Sequence, residues 1–151
     1  MNQNNTFESI HDYIKQLEVF SDHDHHYTDE FFNKGSSLHK IFQESYVNWT
    51  GYVGEEDTES SRNQLIENSS FNTYFYWLEK GIQKIHGIKT PITVETWDAI
   101  SNTIEETHRN NPMFHIEALK QAGYRHLLID NYFDPDNNLG HPTDLRTGLS
   151  H

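Results

Sequence analysis

Two short apolar runs are the strand candidates of this 151-residue chain, Leu17-Glu18-Val19-Phe20-Ser21 and His126-Leu127-Leu128-Ile129-Asp130, and 104 residues lie between them. A crossover between parallel strands can be made in about a dozen residues, so a helical insertion has to sit between the two. The second run is apolar on both faces, the pattern of a strand buried on both sides. Two parallel strands do not make a self-sufficient sheet, because both faces and both edges need partners. The expectation is therefore a helix-rich α/β fold with two parallel strands. It occupies residues 1–151 as a single, incomplete domain of a larger α/β structure, or else the helices form the main core.

Helical periodicity accounts for much of the interval. Phe7, Ile10, Ile14 and Leu17 place an amphipathic helix at about 6–16. Ser36 and Ser37 can cap a short helix over Leu38 to Glu44. From Tyr46 to Arg62 the sequence reads as loop. Phe71, Tyr74, Phe75, Leu78, Ile82 and Ile85 share one face of a helix over about 71–86, with Gly87 as its stop. Thr93 is placed as the N-cap of a helix over 94–109, with Val94, Trp97, Ile100 and Ile104 inward. Pro112 then opens a third helix that Gly123 ends.

Charge narrows the partners. Lys and Arg number 11 against 23 Asp and Glu, a formal net charge of −12, which argues against duplex nucleic acid and against an anionic membrane surface. Apolar residues make up 34% of the chain and aromatics 13%, and that aromatic share favours a folded core over a disordered chain. Cysteine is absent, which removes disulfides, thiolate metal sites and cysteine nucleophiles together. The polar start, Met1 to Thr6, has no leader pattern and no run suits a membrane span, so a cytoplasmic location is expected. The N-x-S/T triplets at Asn4, Asn48 and Asn68 are then chance matches.

The strongest chemical signal is His23-Asp24-His25, directly after the first apolar run. On a strand, residues i and i+2 point the same way, so His23 and His25 present two imidazoles side by side. Neutral imidazole suits Zn, Fe, Ni or Mn, and two such ligands make half of a typical site, with zinc the expected ion. Asp22 and Asp24 would face the other side. With 11 histidines in the chain, a chance H-x-H is the competing reading. Functional groups gather at the carboxyl ends of parallel strands, where these histidines and Asp130 fall. Asp130 is read as a cap or turn residue, with a ligand role as its alternative.

The run from Ile14 to His25 resembles the first strand of the amidohydrolase superfamily, a (β/α)8 barrel whose first strand ends in an H-x-H metal pair. Leu38 to Val47, and Ala122-Gly123-Tyr124 leading into His126 to Asp130, are similar to the amidohydrolase-related branch near the uronate isomerases. Residues 10–140 carry this resemblance. It implies that His23 and His25 are metal ligands, that a small-molecule substrate is hydrolysed with a divalent transition metal, and that a carboxylate base activates the water. The uronate isomerase-like alternative moves a proton between adjacent sugar carbons. A non-enzymatic helical binding protein with an incidental H-x-H is the third reading. Family members often carry Asp two residues before the first histidine, where this sequence has Ser21. A full barrel takes ~250 residues, so the chain reads as an N-terminal portion, inactive by itself and prone to self-association or homo-oligomer formation through exposed edges.

Other signals have plainer readings. Asp134-Pro135-Asp136-Asn137-Asn138 lacks the glycine and glutamate of a calcium loop, since Leu139 and Leu145 stand there, and reads as a polar turn. His26 and His141 are expected in solvent. Phe71, Tyr74, Phe75, Tyr76 and Trp77 are expected mostly in the core, Trp49 and Tyr52 to line a pocket, and Glu55 to Glu59 to be a solvated loop. Neither a glycine-rich phosphate loop nor a G-x-S-x-G elbow occurs.

Overall fold

The computed structural model describes residues 3–25, 27, 31–32, 34–50 and 52–129. His26, Asp130, the Asp134–Asn138 turn and His141 lie outside the described residues. The chain is α/β and helix-rich, with two parallel strands. It divides into two compact units, one of Met1–Asp29 with His115–His151 and one of Glu30–Phe114.

The first unit contains helix α1 (Gln3–Lys15), strand β1 (Val19–Asp24), helix α6 (Phe114–Gln121, whose first residue belongs to the other unit) and strand β2 (Tyr124–Ile129). Ile116 and Leu119 of α6 pack on Leu127 and Tyr124 of β2. Gly123 closes the link between them in the left-handed region, at φ +88°, a conformation glycine adopts without steric cost. Its carbonyl accepts the Val19 N–H at 3.0 Å, which starts the pairing of β1 with β2. Val19 stands opposite Tyr124, Phe20 opposite His126, Ser21 opposite Leu127 and Asp24 opposite Ile129. Between Ser21 and Asp24, β1 advances three residues while β2 advances two, so β1 carries a bulge over Asp22 and His23.

Both strands differ from their expected bounds. β1 starts two residues later than Leu17, because the last turn of α1 continues: the Leu17 N–H bonds the Ile14 carbonyl at 3.1 Å. It then runs on through polar residues to Asp24, since ladder bonds to β2 are made by backbone and are indifferent to side-chain polarity. β2 likewise begins at Tyr124, and His126 is exposed and Leu128 half-buried, so the strand is not apolar on both faces. The apolar face of α1, with Phe7, Ile10 and Ile14, is exposed.

The second unit holds α2 (Leu38–Gln43), a 3-10 turn (Asn48–Thr50), α3 (Glu59–Ser69), α4 (Thr73–His86) and α5 (Trp97–Asn110). Its core joins Leu38 and Phe42 of α2 to Leu65 of α3, Phe75 and Ile82 of α4, and Trp97, Ile100 and Ile104 of α5. Phe42 stacks on Phe75 at 5.4 Å and on Trp97 at 5.6 Å between centroids, each ring pair contributing about 0.5–1.5 kcal/mol beyond area burial. Ser37 caps α2, its Oγ accepting the Lys40 N–H at 3.2 Å, as its sequence position indicates.

Three expectations change in this unit. Helix α3 falls where no element was expected, and begins inside the stretch read as loop. Helix α5 starts at Trp97, three residues late, because Thr93 and Thr96 cap each other one turn upstream: each hydroxyl accepts the other's N–H, at 3.3 and 2.9 Å. Of the aromatics expected in the core, only Phe75 is buried; Phe71 is 100% exposed, and Tyr74, Tyr76 and Trp77 are exposed. Phe71 precedes the N-cap of α4, Asn72, and the other three lie off the face that Phe75, Leu78 and Ile82 turn to the core.

Candidate metal centre

His23 is the fifth residue of β1 and His25 follows its last. Their rings converge: Nε2 of one lies 2.9 Å from Nε2 of the other, with centroids 4.6 Å apart and planes at 87°. Both imidazoles thus meet at the carboxyl end of β1, His23 within the bulge and His25 just past the last strand residue. Both side chains are exposed, so water and small solutes reach them.

In the ion-free pair, one Nε2 donates its proton and the other accepts it. A shared ion needs both Nε2 atoms bare, with each ring's proton on Nδ1. A tetrahedral zinc with Zn–N bonds of about 2.0–2.1 Å holds its nitrogens about 3.3 Å apart. The observed separation is a few tenths of an ångström short of that, within reach of small side-chain rotations. Opening costs one exposed hydrogen bond, which water replaces at little net cost. The donor set therefore fits two ligands of a borderline metal such as zinc. Among the described residues no group of three or more His, Asp or Glu side chains is gathered for an ion, and this pair makes half of a tetrahedral shell.

Ser21, which stands where the resembled family often has Asp, braces the pair through backbone. Its Oγ donates to the His23 carbonyl at 3.1 Å, a bond that spans the bulge. Of the two neighbouring carboxylates, Asp22 is exposed and Asp24 half-buried. Trp49 does not line a pocket with Tyr52: it is 82% exposed, while Tyr52 packs against the core of the second unit.

An ion-pair network in the second unit had no signal in the sequence pattern. Arg62 bonds Asp57 at 2.5 Å through Nε and Asp98 at 2.8 Å through a terminal nitrogen, and its guanidinium sits 5.4 Å from the Trp97 ring centroid. Trp97 Nε1 donates to the other Asp57 oxygen at 3.3 Å. Burial opposes ionisation of Asp57, but the Arg62 and Trp97 hydrogen bonds and the Arg62 charge outweigh it and hold the carboxyl below the usual Asp range. Asp57 belongs to the stretch read as a solvated loop, and it is exposed, as are Glu55, Glu56 and Glu59.

No protein-family model, curated protein or solved structure matches this chain. Among the described residues, no helix is long and apolar enough to cross a membrane.

Proposed function

We propose that His23 and His25 are a metal-ligand pair at the mouth of an amidohydrolase-type (β/α)8 barrel, and that they serve a metal-dependent hydrolase of small molecules whose remaining catalytic groups lie outside this pair. The observation that carries this reading is the convergence of the two Nε2 atoms at 2.9 Å from the carboxyl end of a strand that pairs in parallel with the next one. Parallel strands ending in converging donors are where barrel enzymes build their sites. A divalent ion held there supplies Lewis-acid polarisation of a substrate carbonyl. The chain's own contribution is positional. Strand β1 sets the imidazole spacing, and Ser21 ties down the backbone at His23 through its hydrogen bond to the His23 carbonyl. Exposure of both rings keeps the substrate side open.

The test is calorimetric titration of the tag-free protein with zinc at pH 7.5. Wild type is expected to bind one equivalent more than the double variant His23→Ala/His25→Ala. Each single variant should lose affinity by more than the about 10–100-fold that loss of a supporting outer group costs. Equal stoichiometry and affinity in wild type and double variant would overturn the assignment.

A further inference from the structure

We infer that Tyr46, Trp49 and Tyr74 form a binding corner for a compact organic cation of the alkylammonium type. The corner lies in the Glu30–Phe114 unit, shares no residue with the metal pair, and stands independently of it. Tyr46 follows α2, Trp49 is in the 3-10 turn and Tyr74 opens α4. Single exposed aromatics are ordinary on protein surfaces. Trp49 and Tyr74 each touch Tyr46, while Tyr46, Trp49 and Tyr74 remain 49%, 82% and 58% exposed, so packing has not removed them from water.

Ring geometry selects the ligand. Tyr46 and Trp49 have centroids 4.5 Å apart and planes at 85°. Two rings so close and perpendicular bound a right-angled corner whose floor and wall are both ring faces. Tyr74 leans on Tyr46 at 5.4 Å and 38°, a third ring in the same cluster. A sugar ring or a nucleobase stacks on one ring face at a time. A compact cation, by contrast, gains from every ring face within about 6 Å of it, because each face is the negative side of the ring quadrupole. Charge points the same way: a chain of net charge −12 attracts cations and repels anions. Elsewhere in the chain, ring faces are served by its own cations, Lys40 over Phe31 at 3.8 Å, Arg62 over Trp97 at 5.4 Å and Lys80 over Tyr76 at 5.6 Å. None of those three cations stands over Tyr46, Trp49 or Tyr74.

The experiment titrates the full ¹⁵N-labelled chain with choline chloride and, separately, with its uncharged isostere 3,3-dimethylbutan-1-ol, at constant ionic strength. The Trp49 indole N–H and the Thr50 amide report binding, and the buried Trp97 indole reports that the fold is intact. Choline should shift both reporters saturably, and the alcohol should bind about tenfold more weakly or worse. Tyr46→Phe keeps the ring and should hold choline within about twofold, whereas Tyr46→Ala should weaken it about tenfold. Equal affinity for the alcohol would show a merely apolar patch and overturn the proposal. So would choline binding unchanged in Tyr46→Ala, or no shift of either reporter.

Discussion

At Asp57, burial competes with hydrogen bonds from Arg62 and Trp97 and with the charges of Arg62 and His39 for the state of one carboxyl, and the favourable interactions win. The consequence has a sign. The folded carboxyl is held below the ordinary value of 3.8, so the unfolded chain takes up the proton first as pH falls. The stabilisation is complete above that value and is lost as pH falls from there through the lower folded value. Arg62→Met should destabilise the protein by up to about 1 kcal/mol, the range of a solvent-screened ion pair, and should flatten the fall in stability between pH 5 and pH 3. Urea midpoints at pH 3, 4, 5 and 7 check this, and an unchanged slope in the variant would contradict it. The residue scale also separates what sequence could show from what it could not. His23 and His25 are two apart, and that spacing at a strand end marks them as neighbours. Asp57 meets Trp97 from a distant part of the chain, and no local pattern announces such a partner.

Among the elements, α3 was the hardest to read because its apolar content is so thin. Only Leu65 is buried and Ile66 half-buried, so no periodic stripe marks it. Its visible signal is the cap: the Thr58 hydroxyl accepts the Ser61 N–H at 3.2 Å and Ser61 Oγ accepts the Thr58 N–H at 3.0 Å, with serine where a capping box usually has Glu or Gln. With so little packing, α3 should depend on that cap. Thr58→Ala is expected to cost about 0.5–2 kcal/mol and Thr58→Ser much less, measured by urea unfolding followed by circular dichroism. Equal stability of Thr58→Ala and wild type would show that tertiary packing alone holds the helix. The strands were legible as existing and parallel, but not in their ends. Backbone pairing drew Asp22 to Asp24 into β1, and a bulge shifted the register that simple alternation assumes.

For the whole molecule, the α/β class with two parallel strands and a helical insertion followed from run length and spacing, whereas the placement of the aromatics did not. A helix with apolar residues all round offers more than one inward face, and α4 turned Phe75, Leu78 and Ile82 to the core in place of Tyr74 and Trp77. Global stability carries a further pH term at the ends of two helices. His86 of α4 packs against His108 of α5 at 6.1 Å and Phe114 at 5.0 Å between ring centroids. Burial lowers its pKa from the usual 6.5, so the unfolded chain protonates first. That contribution is full above 6.5 and is lost as pH falls through the folded value. The thermal midpoint should therefore drop between pH 7.5 and pH 5, and by less in His86→Leu; parallel curves for the two proteins would refute the assignment.

The central claim is that two ring nitrogens of one strand end share an ion. Long-range ¹H–¹⁵N correlation spectra of the histidine rings, recorded with and without one equivalent of zinc, test it most directly. Nε2 of His23 and Nε2 of His25 should move together while both rings carry their proton on Nδ1. Zinc engaging only one of them, or other histidines in their place, would contradict it.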